Sequence, residues 1–305
     1  MRLNRQFISL VLLLSGIGFI VMLIGRSWGQ IEALLFSANW TLLALSCVVG
    51  ITSMVVTSLF FHYLLDKHAL HLRMRDTHRL FFYGQIAKYV PGKIWGILYQ
   101  ATSVNRKGAS SSIAAANFDL MVISVLSNLA LGMALVASRF SMTLAALVFL
   151  SGLYITVLAS RSVLSGKLIG WALSKLGMNY SAESGNTNPP VNKAMPVIIY
   201  YVMICSTGVL AYFLMLHAVF SLSFSDVVAY IGYLILAWVA GVFLFLAPAG
   251  MGVRELVFIA FGTYMDTGVP VDTLVIIAIV SRFWQVFQEL GAAAVVFLWN
   301  SAVRE

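Results

Sequence analysis

The chain has 305 residues, of which 61% are apolar and only 10% are charged, and its formal net charge is +8. Soluble proteins of this length carry more charge, and long apolar runs without period-two alternation exclude an outer-membrane barrel. The composition therefore predicts an all-α polytopic membrane protein that forms a single integral membrane domain over residues 1–305. Cys47 and Cys205 lie in apolar spans without ligand spacing, so we expect neither a disulfide nor a metal site.

Six apolar segments are long enough to cross a bilayer, which needs about 20 helical residues. They lie at about 7–25, 40–65, 112–137, 141–160, 196–220 and 273–299. We expect the first to be a retained signal anchor, because no cleavage site follows it. The polar segment 161–195 is predicted to be a cytoplasmic linker between a first half, 1–160, and a second half, 196–305.

The basic residues fall in loops that lie on one side if the N-terminus is inside. The opposite loops carry mainly acidic residues, so the positive-inside rule predicts a multi-pass protein of the inner (cytoplasmic) membrane with both termini cytoplasmic. The positive charge is then a topology signal, and the dispersed basic residues make nucleic acid an unexpected partner. The basic positions include Arg2, Arg5, Lys67, Arg73, Arg75, Arg79, Arg161 and Lys193.

Two proline-glycine breaks interrupt apolar stretches, at YVPGKIW and at APAGMGVRE. Broken backbone at membrane depth is tolerated where it is buried in protein or lines a wet cavity. Because segments 77–105 and 227–265 must each return to the side they left, we expect two re-entrant helical hairpins. The second limb of the later hairpin, Val253–Tyr264, would rise only about 18 Å. The predicted tips contain Pro91, Gly92, Pro248, Gly250 and Gly252.

The two hairpins would enter from opposite faces, which predicts an inverted-topology repeat. The alternative is that Pro and Gly are simply common in membrane helices. The predicted fold is thus about six full spans plus two re-entrant hairpins.

The chain resembles the transmembrane domain of lysylphosphatidylglycerol synthases and its stand-alone relatives. The resemblance covers most of the sequence and is carried by K-x-x-PGK-x-W from Lys88 to Trp95 and by P-x-G-x-GVRE from Pro248 to Glu255. It implies a flippase-like fold, since this domain is linked to translocation of aminoacylated phosphatidylglycerol or of other charged lipids. The stretch AAANFDL departs from the family pattern, with Asp119 as its one charge. The soluble aminoacyl-transferase domain of the bifunctional synthases is missing, so we expect no lipid aminoacylation.

Four basic residues are candidate contacts for an anionic headgroup. Arg254 follows two glycines at the start of a helical limb, where free amide groups and a guanidinium can receive a phosphate. Lys93 holds the matching place in the first hairpin, with Lys88 about one turn earlier. Arg254 and its neighbour Glu255 could instead clamp the hairpin to other spans, and Glu255 suits that structural role better.

The fourth candidate, Arg282, lies about 13 Å into the last span, where an arginine should face protein, water or an anion. Gln285 and Glu289 follow on its helix face. We expect Glu289 to neutralise Arg282 until a headgroup arrives; the alternative is a permanent structural pair involving Arg282, Glu289 or Asp119. Asp119 is either an ion-coupling carboxylate or a hydrogen-bonded structural one, and Trp95 is expected to wall the cavity.

These features predict flippase-like translocation of a charged lipid whose headgroup is held at the hairpin tips. The lipid would be an anionic or aminoacylated phospholipid or a polyprenyl-phosphate-linked glycolipid. The alternative function is a non-catalytic lipid-binding membrane partner that recruits or regulates a lipid synthase or glycosyltransferase. Without an HExxH, GxSxG or carboxylate-nucleophile pattern, we expect no enzyme, no catalytic residue and no cofactor. The expected partners are membrane lipids and such a synthase or transferase, and homo-oligomerisation is left open.

Overall fold

The computed structural model describes residues 36–87, 99–100, 103–104, 108–161, 194–243, 252–265 and 269–302, with the single positions 25, 29, 32 and 34. Within these residues all regular secondary structure is helical, as the composition predicts. Eight helices have described bounds: α1 (Trp40–Lys67), α2 (Met74–Ala87), α3 (Ala109–Ala137), α4 (Met142–Arg161), α5 (Met195–Val219), α6 (Phe224–Phe243), α7 (Val253–Tyr264) and α8 (Val271–Ala302).

Six of the described helices, α1, α3, α4, α5, α6 and α8, are long and apolar enough to cross a membrane. Five of them match predicted spans. The sixth, α6, has 20 residues and was expected only as the first limb of a hairpin. The predicted span at about 7–25 lies outside the described residues, apart from Gly25, and stays a prediction.

The long helices start with favourable local chemistry and present apolar residues outward. The side chain of Asn39 accepts a hydrogen bond from Leu42 N at 3.1 Å and so caps α1. A proline lies in the first turn of α5, where its missing N–H costs nothing. The outer face of α4 exposes Leu147, Leu150 and Tyr154, as expected of a helix that contacts lipid.

Inter-helix contacts define the two ends of the bundle. At one end, Asn39 N donates to Ala218 O at 2.7 Å, and Arg139 pairs with Asp226 at 3.1 Å between α3 and α6. At the opposite end, Lys67 Nζ donates to the carbonyl oxygen of Ser160 at 3.3 Å. We call the first the acidic-loop end and the second the Lys67 end. Helices α1 and α8 begin at the acidic-loop end, while α3 and α5 begin at the Lys67 end.

Small residues let the central helices approach closely. Gly132 of α3 and Gly232 of α6 face each other, and a β-carbon on either would lie 3.1–3.2 Å from the carbonyl oxygen of the other. Gly152 of α4 packs directly on Ala130 of α3. Such contacts are typical of membrane helices, whose association relies on close packing.

Both predicted hairpin regions show chain reversals. Helices α6 and α7 pack antiparallel, with the Tyr233 and Phe261 rings stacked at 5.6 Å, and α7 has the bounds predicted for the second limb. In the first region, Gln100 Nε2 donates to Leu80 O at 3.2 Å, so the chain has turned back along α2 by residue 100. Re-entrant geometry and the inverted repeat stay predictions, because the tips at 88–98 and 244–251 lie outside the described residues.

Two hydrophobic clusters form the core. One is built mainly from α5, α6, α7 and α8, and the other mainly from α1, α2 and α3 with the start of α5 and the far part of α8. The boundary between these clusters positions the candidate site.

Candidate functional site

A cavity of about 400 Å³ lies between the two hydrophobic clusters, with walls from α1, α2, α3, α5, α6, α7 and α8. Along α5 it runs from Tyr200 to Tyr212, twelve residues or about 18 Å of helix. Its volume falls in the range of small-ligand sites, which is about 300–1,000 Å³. Among the described lining residues, Arg254 and Glu289 carry the charges, whereas most other polar groups are amides and hydroxyls.

Arg254 lies in the first turn of α7 and reaches the cavity across α6. Gly252 precedes the helix with a φ of +82°, a left-handed value that suits glycine. The guanidinium lies over the ring of Trp238, 5.8 Å from its centroid. Gly241 leaves the space that the side chain occupies, since a β-carbon there would lie 2.6 Å from Arg254 Cγ. The sequence predicted Arg254 and the helix start, but not Trp238 or Gly241.

The buried Nε of Arg254 lacks a hydrogen-bond partner among the described residues. Nor does the described part of the chain provide a carboxylate within ion-pair distance of this guanidinium. Buried polar groups are normally hydrogen-bonded, and a buried cation normally needs a partner. Arg254 is therefore available to an anion that enters the cavity.

Glu255 and Arg282 connect α7 to α8. Arg282 Nε lies 3.7 Å from Glu255 Oε1, and the two side chains are 12% and 3% exposed. The sequence predicted Glu289 as the neutralising partner. Glu289 lies two helical turns, about 10 Å, further along α8, and its pairing with Arg282 stays a prediction. A structural clamp was the alternative role that the sequence predicted for Glu255, and the ion pair between Glu255 and Arg282 is a contact of that kind.

The face of α8 that lines the cavity carries a hydrogen-bonded ridge of large side chains. Trp284 Nε1 donates to Ser46 Oγ at 2.8 Å, and Gln285 Nε2 donates to Tyr212 OH. One turn on, the Gln288 side chain fills the space left by Gly50 of α1, and its Nε2 is buried without a partner in the described residues. Gln285 was a predicted site residue, and the others were not.

The opposite wall is formed by a polar stripe on α3. Asn117, Ser124 and Asn128 are spaced at seven and four residues, so they share one helix face. Ser124 Oγ lies 3.0 Å from Tyr200 OH of α5, and the Asn117 side chain donates to Gln100 Oε1 at 2.7 Å. This heptad-like spacing of polar residues within an apolar span is a signal that could have identified this wall from the sequence.

Asp119 belongs to a separate cluster. Two residues beyond Asn117 it is about 200° around the helix and points away from the cavity. Its Oδ2 accepts from Lys67 Nζ at 2.7 Å and lies 3.1 Å from His68 Nε2, at the Lys67 end of the bundle. Asp119 is only 4% exposed. Its contact with Lys67 joins α1 to α3, as the structural alternative for Asp119 predicts.

Several predicted site residues cannot be placed. The described residues do not include the basic and aromatic candidates of the first hairpin or most of the predicted tip residues, so their roles stay predictions. They are Lys88, Pro91, Gly92, Lys93, Trp95, Pro248 and Gly250. The structure therefore brings together Arg254, Glu255, Arg282, Gln285 and Glu289 around the cavity and its α7–α8 wall.

The fold and the cavity define a multi-pass helical membrane protein with a polar chamber inside its helix bundle. The chain belongs to the family of the lysylphosphatidylglycerol synthase TM region, whose family model matches residues 6–289. This membership agrees with the resemblance seen in the two Pro-Gly motifs and indicates a membrane lipid-related role. Neither the comparison with curated proteins nor that with solved structures gave a match.

Proposed function

We propose that this protein moves a charged lipid between the leaflets of its membrane in a flippase-like manner. The headgroup would travel through the polar cavity while the acyl chains stay in the lipid around the bundle. Anionic or aminoacylated phospholipids and polyprenyl-phosphate-linked glycolipids are the candidate classes. The lipid-related family and the polar chamber between apolar spans support this proposal.

The observation that carries the proposal is the position of Arg254. A guanidinium in the first turn of a helix, lining a polar cavity and without an anionic partner in the described residues, is arranged to receive a phosphate. Arg282 differs, because it pairs with Glu255 and so stabilises the wall of the chamber. We therefore assign headgroup binding to Arg254 and a positioning role to Arg282.

The proposed orientation follows from charge. The Lys67 end carries Lys67, Arg73, Arg75 and Arg79, whereas Arg139 at the acidic-loop end is paired with Asp226. Positive loops favour the cytoplasm, so we propose a bacterial-type inner membrane with the Lys67 end and both termini cytoplasmic.

The proposed activity requires no bond making by the chain itself, so we propose a transporter rather than an enzyme. A membrane-associated lipid synthase or glycosyltransferase would be the natural supplier or consumer of its lipid. Such a partner would act on the lipid before or after translocation.

Translocation in proteoliposomes tests the proposal. The wild-type protein should move a tail-labelled phosphatidylglycerol between leaflets faster than protein-free vesicles, measured by quenching of the outer-leaflet label. Arg254→Gln should reduce the rate to the background, because the phosphate loses its buried cation. The matched control is Arg139→Gln, which removes an arginine outside the cavity and should leave the rate unchanged.

Equal translocation by wild type and Arg254→Gln, both above background, would remove the assigned headgroup site. Background rates for every lipid class, with the wild type folded and reconstituted, would favour the regulatory lipid-binding role over transport.

A further inference from the structure

The side chains of the cavity wall indicate a narrower class of headgroup than charged lipids in general. Five carboxamides line it, together with five hydroxyls, against one guanidinium and one carboxylate among the described residues. The carboxamides are those of Gln85, Asn117, Asn128, Gln285 and Gln288. A carboxamide carries a donor and an acceptor, as a hydroxyl group does. The amide nitrogens of Asn117, Asn128 and Gln285 already donate to Ile113 O, Ser124 O and Tyr212 OH, so their amide oxygens are the groups that a ligand hydroxyl can bind most directly.

The charges of the described wall balance, because Arg254 and Glu289 carry opposite signs. Two other acidic groups nearby do not line this cavity. Glu255 pairs with Arg282 through Oε1, while its buried Oε2 has no hydrogen-bond partner in the described residues, and Asp119 lies against Lys67. A headgroup with extra ammonium groups would thus find one carboxylate, and burying an uncompensated cation is costly.

The side chain of Arg254 indicates what one end of the ligand supplies. Arg254 Nε and Gln288 Nε2 have no hydrogen-bond partner in the described part of the chain. Neighbouring protein atoms enclose these two nitrogens, so a ligand meets Arg254 where the rest of its side chain lines the cavity. A guanidinium only donates hydrogen bonds, so it binds phosphate and hydroxyl oxygens, whereas an ammonium group offers it no acceptor.

The two kinds of contact lie on different walls. Arg254, Trp238 and Glu289 belong to the α6–α8 side, while Asn117 and Asn128 belong to α3 across the chamber. A ligand that places its phosphate at Arg254 can direct a short polar group toward the amides of α3.

We propose that the cavity selects a phosphate-linked polyol, such as a glycerol phosphate or a sugar phosphate on a lipid, over an aminoacylated, cationic headgroup. The inference rests on the proposed function, since it treats the cavity as the headgroup site.

Native mass spectrometry of the purified chain with equal amounts of each probe tests this selectivity. The lipid probes share their acyl chains: phosphatidylglycerol has phosphate and polyol, phosphatidic acid has phosphate alone, and a glucosyl diacylglycerol has polyol alone. Lysylphosphatidylglycerol carries an additional cationic group, and soluble glycerol phosphate is a headgroup without acyl chains. We expect phosphatidylglycerol to bind about fivefold tighter than phosphatidic acid, because several neutral hydrogen bonds are gained. We expect it to exceed lysylphosphatidylglycerol by about tenfold.

Three variants separate the two contacts. Asn128→Leu keeps the side-chain volume and should lower phosphatidylglycerol binding toward the level of phosphatidic acid, because one of the hydrogen bonds to the polyol is lost. Arg254→Gln should weaken both lipids alike, by about tenfold. Ser206→Leu, on the exposed face of α5, is the control and should change neither.

The possible results separate cleanly. Tighter binding of lysylphosphatidylglycerol overturns the headgroup class but leaves lipid translocation standing. Equal binding of phosphatidic acid and phosphatidylglycerol would contradict a contact with the polyol. Strong binding of soluble glycerol phosphate would contradict the claim that the ligand is a lipid. If no probe is retained by wild type or by Arg254→Gln, both this inference and the proposed function fail.

Discussion

Glu255 and Arg282 hold α7 against α8 through a buried ion pair. Removing this pair should lower the free energy of unfolding by an amount that can be estimated from its geometry. At 3.7 Å and an effective dielectric constant of about 20, the gross attraction is about 4.5 kcal/mol. Desolvation offsets much of this, and the distance exceeds that of a short charge-assisted hydrogen bond. We therefore expect a net coupling of about 1–3 kcal/mol. Glu255→Gln alone should cost about 3 kcal/mol, because Arg282 loses this buried carboxylate.

A double-mutant cycle measures this coupling. The free energy of unfolding would be obtained by SDS titration in mixed micelles for Glu255→Gln, Arg282→Gln and the double variant. The matched control is the cycle for Arg139 and Asp226, a more exposed pair whose coupling should be only about 0.5 kcal/mol. A coupling for Glu255 and Arg282 no larger than that of the control pair would contradict the clamp.

Three further substitutions give distinct outcomes. Gly241→Ala places a β-carbon 2.6 Å from Arg254 Cγ, so it should displace that side chain and reduce lipid binding in native mass spectrometry as strongly as Arg254→Gln does. Gly152→Val pushes α4 away from Ala130 of α3 and should lower the unfolding free energy in SDS titration by about 1–3 kcal/mol. Asp119→Asn removes the carboxylate shared by two basic groups near the end of α1 and should lower it by about 3 kcal/mol in the same titration, with translocation by the remaining folded protein unchanged.

The helices were predictable because membrane spans are determined by local hydropathy. The limb Val253–Tyr264 was predicted to the residue, since glycines precede it and polar residues follow it. The length of α6 was harder to interpret. Its apolar run leads directly into a Pro-Gly break, so local sequence does not distinguish a hairpin limb from a spanning helix that ends at that break.

The site was only partly predictable. Arg254, Arg282 and Glu289 were identified because charges in apolar spans are costly and so carry information. The Glu255–Arg282 contact was not predicted, since it depends on how α7 packs on α8 and not on spacing along one helix. The contact between Arg254 and Trp238 was not predicted for the same reason, because cation–π pairing between helices leaves no pattern along the chain.

The central claim is that the cavity is the path of the headgroup, and filling the cavity tests it most directly. Gly208 of α5 lines the chamber, and a β-carbon there would meet no atom within 4 Å, so a side chain can extend from this position and Gly208→Trp is chosen to fill the cavity. Ser206→Trp, on the exposed face of the same helix, is the matched control. With tail-labelled phosphatidylglycerol in proteoliposomes, Gly208→Trp should reduce translocation to that of protein-free vesicles, while Ser206→Trp should retain the wild-type rate. Wild-type translocation by a folded Gly208→Trp protein would contradict the account.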